Sequence, residues 1–194
     1  MLIYDVLKMD HRMVLSIIDT IEMIPEPARR KDMLSLMRVE LNMHANSEEE
    51  AFYAPLAERM TAMAEKLPAT MTAGDGDGQP GGIVPGTRLQ AAFLTTPQMI
   101  DTAEDEHHQV EKMLMKLQMG GGETESWLSD LRTLRAMLQR HILKEETDVF
   151  HLAQTLFTTT EAADMAARFL EGKGRLGMEN PLSLAAHAVK DMLT

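Results

Sequence analysis

The chain carries one arrangement of histidine and acidic residues twice. Asp10-His11 is followed, 33 residues after its histidine, by His44-Ala-Asn-Ser-Glu48-Glu49. Glu106-His107 is followed, 34 residues after its histidine, by His141-Ile-Leu-Lys-Glu145-Glu146. The same order at nearly the same spacing indicates an internal repeat, in which each half is one helical hairpin. Any fold for this chain must therefore accommodate two copies of that hairpin.

Four segments place apolar residues at the spacing of an amphipathic helix. They are residues 4–24, residues 27 to 56 or beyond, residues 97–119 and residues 123 onward. Pro55 is predicted to kink the second helix. The apolar stripe of the fourth consists of Leu131, Leu134, Leu138 and Leu152. Because no strand pattern accompanies them, the sequence predicts an all-α fold, an antiparallel up-down-up-down four-helix bundle over residues 1–157.

Two regions lie outside this pattern. Residues 67–96 are rich in glycine, proline and aspartate, and we expect them to form a long flexible loop between helices two and three. Residues 158–194 predict two shorter helices, split by Gly172-Lys-Gly174 and by Pro181. We expect these helices to pack on the bundle as a C-terminal extension.

Composition narrows the classes of function. The chain has 194 residues and no cysteine, which excludes disulfides, zinc-thiolate sites, iron–sulfur ligation and thiol nucleophiles. Its net charge of -11 would repel nucleic-acid phosphates and anionic lipids. No apolar run approaches the roughly 20 residues that a bilayer requires, and no secretory signal is visible. We therefore expect a cytoplasmic protein without a nucleic-acid or membrane partner.

Metal-ligand types of side chain occupy the apolar stripes. The positions are His11 on helix one, His44 and Glu48 on helix two, His107 on helix three, and His141 and Glu145 on helix four. A carboxylate on such a seam costs several kcal/mol in desolvation unless it is paired or bound to a metal. Residues four apart share a helix face, so each His-x-x-x-Glu pair can present a nitrogen and an oxygen to one interior centre.

This donor set suits two metal ions better than one. Four imidazoles and two carboxylates are too many for a tetrahedral zinc site, whereas two metals bridged by the carboxylates would keep positions open for a small ligand. Without thiolates, iron is the natural candidate, and manganese or zinc substitution stays an alternative.

From about Tyr4 to Phe157 the chain resembles the hemerythrin HHE cation-binding family, in its bacterial form. The matching motifs are Asp10-His11, His44-x-x-x-Glu48-Glu49 with Phe52-Tyr53, Glu106-His107, and His141-x-x-x-Glu145-Glu146 with Phe150. The resemblance implies an up-down-up-down bundle around two non-haem iron ions joined by an oxo or hydroxo bridge. It also implies the iron ligands His11, His44, Glu48, His107, His141 and Glu145, with Glu48 and Glu145 bridging.

The chain departs from the oxygen-carrying members of that family at two positions. Those proteins have His-x-x-x-His on the third helix, whereas the residue four after His107 is Glu111. They have His-x-x-x-x-Asp on the fourth helix, whereas Glu145 lies four after His141 and Glu146 lies five after it. The centre therefore looks more like that of carboxylate-richer bacterial relatives. Some of these act in iron–sulfur cluster repair, but they carry a cysteine-containing region that is absent here.

Several neighbouring polar residues have two interpretations. Glu111 is either a seventh ligand or a carboxylate at the rim of the site. Asp10 and Glu106 either hydrogen-bond a ligand imidazole on another helix or are surface charges. Glu49 and Glu146 are expected beside the site, facing solvent or a neighbouring helix.

Other features have ordinary structural explanations. His108 is turned about 100° from His107 on a helix, and His151 and His187 lack a paired carboxylate, so none of these three is expected to be a ligand. The 18 methionines are scattered, which favours core filling over copper handling or a peptide groove. A single His-x-x-x-Glu pair is usually a solvated surface pair, so the metal hypothesis depends on the repeat.

Three functions fit such a site. The first is a binding protein that senses or stores O2, nitric oxide or peroxide, for example in a stress response. The second is an enzyme that turns over peroxide or reduces nitric oxide, and the third is iron storage or donation. No output domain is visible, so we expect sensing to involve a protein partner or a homo-oligomer. The ligand set identifies the class of metal more closely than it identifies the reaction.

Overall fold

The computed structural model describes residues 1–65 and 85–179 of the chain. Within these ranges every regular element is helical, which confirms the all-α prediction for them. The helices are α1 (Ile3–Met23), α2 (Pro27–Glu48), α3 (Ala54–Ala64), α4 (Pro85–Met119), α5 (Glu125–Lys144), α6 (Phe150–Leu156) and α7 (Thr159–Glu179). None of these described helices is long and apolar enough to cross a membrane.

Local sequence accounts for most helix ends. α1 ends before Pro25, and α2 begins with Pro27, whose missing N–H is not needed in a first turn. α4 ends before the turn at residues 120–122, where Gly122 adopts a φ of 76° that favours glycine. The Thr124 hydroxyl accepts a hydrogen bond from the Trp127 backbone N–H at 3.1 Å and caps α5.

The start of α4 differs from the sequence-based expectation. The helix begins at Pro85 instead of Pro97, so the last part of the loop expected over 67–96 is helical. Residues 87–94 include several good helix formers, and Pro85 is suited to a first turn. Pro97 removes one backbone donor within α4 without ending it. The part of the expected loop up to residue 84 lies outside the described residues.

The C-terminal region also differs from its prediction. α7 is one helix that continues through Gly172 and Gly174, where a split between two helices was expected. Glycine lowers helix propensity by only about 1 kcal/mol, which tertiary packing can offset. The second expected break, at Pro181, lies outside the described residues.

A π-helical turn lies at each of the two motif glutamates, starting directly after Glu48 in the first half and at Glu145 itself in the second. One turn, Glu49–Tyr53, joins α2 to α3, and the other, Glu145–Val149, joins α5 to α6. The first turn ends two residues before Pro55, where a kink was predicted, whereas no proline follows the second turn. Each turn adds a residue to the helical repeat. For this reason Ala153 is fully buried, while Leu152, which was predicted on the stripe, is only half-buried.

The four long helices α1, α2, α4 and α5 pack around two apolar clusters. α1 contacts α2 and α5, α4 contacts the same two helices, and α7 packs against α1 and α2. One cluster contains Leu7, Phe52, Ala103, Val149 and Phe169 among others. The other contains Val14, Leu41, Val110 and Leu138 among others. On each long helix the His and Glu residues of the motifs lie between these two clusters, so a polar layer crosses the core.

Candidate metal centre

All six predicted ligands come together in this polar layer. They are His11 from α1, His44 and Glu48 from α2, His107 from α4, His141 from α5, and Glu145 from the π-helical turn after α5. Five are buried, and His107 is half-buried. The candidate ligands of the two repeats, which are distant in the sequence, are therefore neighbours in the fold.

The cluster contains two groups that share one carboxylate. One group is His11, His44 and Glu48, and the other is Glu48, His107 and His141. Within each group, one possible ligand atom per residue lies within 4.8 Å of the others. Two ligands bound at right angles, each about 2.1 Å from a metal, are about 3 Å apart. The spacing of both groups is close to what a bound ion requires.

Glu145 spans the same two groups. Its Oε2 lies 3.0 Å from His11 Nε2 and 3.9 Å from His141 Nε2. Glu48 Oε2 lies 3.4 Å from His44 Nε2 and 3.7 Å from His107 Nε2. Each glutamate thus faces one imidazole from each group.

Several buried atoms in the layer have no hydrogen-bond partner within the described residues. They are both carboxylate oxygens of Glu48, Oε2 of Glu145 and Nε2 of His11. The 3.0 Å approach of His11 to Glu145 is an ion-pair distance, but its geometry does not satisfy a hydrogen bond. Unsatisfied buried carboxylate oxygens are costly, and a cation at this position would compensate for them.

The outer nitrogen of three imidazoles is occupied by a carboxylate. His44 Nδ1 donates to Asp10 at 2.8 Å, and His141 Nδ1 donates to Glu106 at 3.1 Å. Both acids therefore contact a candidate ligand on the next helix, in agreement with the first interpretation of Asp10 and Glu106. These bonds leave both Nε2 atoms free to face the cluster, and carboxylate partners make an imidazole a better ligand.

His11 has a corresponding partner that only the structure identifies. Its Nδ1 donates to Glu146 at 2.9 Å. This bond connects α1, which carries His11, to the π-helical turn that carries Glu146. Glu49, at the equivalent position of the first repeat, is exposed instead. Sequence reasoning placed both acids beside the site, but the repeat gave no reason for them to differ.

The two central glutamates have opposite pKa shifts. Burial and the nearby charge of Glu145 raise the pKa of Glu48 well above its ordinary value. Burial also acts to raise the pKa of Glu145, but His11 and the other neighbours lower it overall. Without a cation, therefore, the surroundings favour the neutral form of Glu48 and the ionised form of Glu145.

Tyr53 is a second contact that the sequence did not assign. Its buried hydroxyl donates to Glu145 Oε1 at 3.0 Å. Burial and the charges of Glu145 and Glu48 raise the pKa of this hydroxyl, so it keeps its proton. In the sequence Tyr53 stands out only as part of the Phe52-Tyr53 pair of the motif, which carries no indication of this contact.

The remaining candidates lie at the edge of the cluster or away from it. Glu111 belongs to neither group, and its side chain is 45% exposed and 3.7 Å from Arg38. His108 is exposed and donates to the Glu104 carbonyl, and His151 is exposed as well. His187 lies outside the described residues.

A cavity of about 360 Å³ reaches the cluster between α2, α4 and α5. All four imidazoles line it, together with aliphatic side chains that include Val14, Leu41 and Val110. Glu49, Glu104 and Glu111 also contribute to its lining. The cavity is therefore the candidate route by which a small molecule would approach the imidazoles.

Residues 88–153 match the sequence model of the hemerythrin HHE cation-binding domain. The match covers about a third of the chain. It includes His107, His141 and Glu145, the candidate ligands of the second repeat. No curated protein and no solved structure matches the chain.

Proposed function

We propose that this chain is a non-haem di-iron protein that binds a small diatomic or peroxide ligand. The observation that carries the proposal is the pair of three-residue groups that share Glu48. In this proposal His11 and His44 would hold one ion, His107 and His141 would hold the other, and Glu48 and Glu145 would be shared between them. The unsatisfied buried oxygens of both glutamates support these roles.

The donor set supports iron. Imidazole and carboxylate without thiolate suit iron, manganese and zinc, and the cation-binding domain matched by residues 88–153 favours a metal of this kind. Bound iron would supply reversible binding of, or electron transfer to, O2, nitric oxide or peroxide. The protein would supply oriented imidazoles, two shared carboxylates and a cavity lined by both polar and aliphatic side chains.

The frame that we infer is an antiparallel up-down-up-down four-helix bundle. The short connections at residues 24–26 and 120–124, and the contacts of α1 with α5 and of α2 with α4, support this topology. The proposed role is cytoplasmic sensing, storage or stress response, in which the bound ligand alters a partner or a second copy of the chain.

An enzymatic role is the second candidate, and Tyr53 favours it. The tyrosine holds a proton at its hydroxyl, 3.0 Å from a proposed bridging oxygen. Glu106 and Glu146 add acidic groups beside two of the imidazoles. Such groups could hold or move protons during the turnover of peroxide or nitric oxide.

Metal analysis of protein purified from iron-replete cells tests the centre itself. We expect about two iron ions per chain, as in di-iron carboxylate proteins. Glu48→Ala should lower that content, because both groups lose a ligand. Less than about one metal per chain in the wild-type protein would contradict the proposal.

Spectroscopy separates the two roles. The reduced protein is mixed separately with O2, nitric oxide and peroxide, and absorption is followed with time. A long-lived spectrum with stoichiometric uptake supports binding, whereas catalytic loss of peroxide or nitric oxide supports the enzyme. No change with any of the three would contradict both.

A further inference from the structure

α7 packs against the polar layer although it supplies none of the six proposed ligands. Its buried residues Ala162, Met165, Ala166 and Phe169 belong to the apolar cluster on one side of that layer. The Phe169 ring meets the His44 ring edge-on, with centroids 5.9 Å apart. α7 also lies beyond the region that matches the HHE domain.

A glycine allows α7 to approach α2 closely. A Cβ atom at Gly172 would lie 3.0 Å from Ser47 Oγ, which is closer than nearly all such contacts. Ser47 is the residue before the proposed bridging ligand Glu48. The close approach brings the next residue of α7, Lys173, to the junction between α1 and α2.

Lys173 is the ammonium partner of two largely buried carboxylates. Its Nζ lies 2.7 and 2.8 Å from the two oxygens of Asp10 and 3.3 Å from Glu40 Oε2. These three contacts match the three N–H donors of an ammonium group. The Asp10 and Glu40 side chains are only 12% and 5% exposed, and no other lysine or arginine within the described residues pairs with them.

Asp10 connects Lys173 to His44, because it accepts hydrogen bonds from both. The carboxylate that receives Lys173 also accepts the Nδ1–H of His44 at 2.8 Å. Lys173, Asp10 and His44 therefore form a continuous chain of charged hydrogen bonds that ends at a proposed metal ligand. Such outer contacts orient the imidazole and define which nitrogen carries the proton.

The other half of the repeat contains a comparable chain with a different lysine. Lys144 contacts Glu106, which accepts from His141 Nδ1. Lys144 belongs to α5 itself, and its side chain is 47% exposed, whereas Lys173 comes from α7 and is 14% exposed. The two halves of the repeat thus differ in the origin of the lysine. Only in the first half does the lysine come from a helix outside the repeat.

We propose that Lys173 is a positioning residue for the metal centre, which holds Asp10 and through it orients His44. The proposal makes α7 a functional part of the centre. It rests on the proposed metal-binding function.

The first test measures metal affinity in Lys173→Met by competition with a chelator. We expect the dissociation constant of one of the two ions to rise roughly 10- to 100-fold, because the contact behind His44 is weakened. Arg175→Gln is the matched control on α7, since Arg175 pairs with Glu50 at an exposed position. The control should keep the wild-type affinity, and an unchanged affinity in Lys173→Met would overturn the proposal.

A purely structural role for Lys173 predicts a different result. In a double-mutant cycle with Asp10→Asn, a residue that acts through Asp10 should lower metal affinity little further once Asp10 is changed. Additive losses of affinity would contradict the proposal. If Lys173→Met does not fold, the double variant Lys173→Gln with Glu40→Gln removes one cation and one carboxylate together. Its affinity should fall as well.

The side-chain ¹⁵N shifts of His44 in the metal-free protein provide a readout that needs no metal. We expect the Nδ1–H form of His44 in the wild-type protein and a shift towards mixed tautomers in Lys173→Met. Identical spectra would overturn the positioning role. A wild-type protein that shows the expected His44 spectra but binds no metal would contradict only the proposed function.

Discussion

The Nε2 atoms of His107 and His141 lie 3.1 Å apart in the polar layer. In the neutral form of His141 that donates from Nδ1 to Glu106, Nε2 carries a lone pair. In the metal-free protein, the contact is therefore a hydrogen bond only if His107 carries its proton on Nε2. Binding of one metal by both nitrogens requires that proton to leave Nε2. The two nitrogens can therefore share a proton only without metal, and they can bind one metal only without that proton.

His107→Leu should change how the metal-free protein responds to acid. Burial, together with His141 and His44, lowers the pKa of His107 to about 3 from its ordinary 6.5. Below pH 6.5 the unfolded chain gains a proton that the folded protein accepts only near pH 3. The free energy of unfolding thus falls with decreasing pH, by at most about 1.4 kcal/mol per unit from this residue. Above pH 6.5 His107 is neutral in both the folded and the unfolded protein, so its contribution to the free energy of unfolding no longer changes with pH.

Urea unfolding of the metal-free protein between pH 7 and pH 5 measures this effect. We expect a shallower pH dependence in His107→Leu than in the wild-type protein. His108→Leu is the control, because His108 is exposed and should leave the slope unchanged. Parallel curves for the wild-type protein and His107→Leu would contradict the assignment.

Glu146→Gln should weaken metal binding, and Glu49→Gln should not. Glu146 accepts from His11 Nδ1 at 2.9 Å, whereas its counterpart in the repeat is exposed and contacts no histidine among the described residues. Loss of the carboxylate makes His11 a poorer ligand, with an expected 10- to 100-fold lower affinity. Chelator competition on both variants checks the difference. Equal effects would show that the acids act only through overall charge.

Tyr53→Phe should destabilise the metal-free protein while leaving its iron capacity intact. The variant removes a hydroxyl that donates to the buried Glu145 carboxylate, which costs about 2 kcal/mol for a hydrogen bond to a charged group. Tyr4→Phe is a matched control, because the buried Tyr4 hydroxyl has no hydrogen-bond partner among the described residues. Thermal unfolding should separate the two variants. A similar stability loss in both would contradict the role of Tyr53.

Ala45→Phe should slow ligand binding without removing metal. Ala45 lies on α2 and lines the cavity that reaches the imidazoles. A phenyl ring there would fill part of about 360 Å³ and obstruct the path. Stopped-flow mixing of the reduced protein with nitric oxide measures the rate, and Ala28→Phe, at an exposed position of the same helix, is the control. Equal rates in both variants would exclude this cavity as the path.

The clustering of the six candidate ligands could be predicted because it depends on helical periodicity and on the order of the four helices. His44 and Glu48 share a face of α2 at any reasonable boundary of that helix, and the same is true of His141 and Glu145 in the second repeat. A polar residue at a position that would otherwise be aliphatic is visible in a single sequence. The order of the helices then brings the four faces together.

Contacts between distant segments could not be predicted in this way. Lys173 meets Asp10 across 163 residues, and nothing in the periodicity of either helix indicates that they meet. The difference between Glu49 and Glu146 is of the same kind, because equal positions in a repeat acquire different neighbours. A regular α-helical period predicts Leu152 on the apolar stripe, whereas the π-helical turn before it buries Ala153 instead.

The two π-helical turns make chain length part of the specification of the site. Each turn connects a proposed bridging glutamate to an aromatic residue of the core: the first follows Glu48 and contains Phe52, and the second begins at Glu145 and precedes Phe150. Loss of one residue there would restore regular winding and rotate one side against the other by about 100°. Either the carboxylate or the aromatic ring would then face away from the interior. Exposed positions of these turns, such as Glu50 and Asp148, should accept an exchange of side chain, whereas a deletion anywhere in either turn should not be tolerated. The number of residues in each turn is therefore as important to the site as the side chains that it carries.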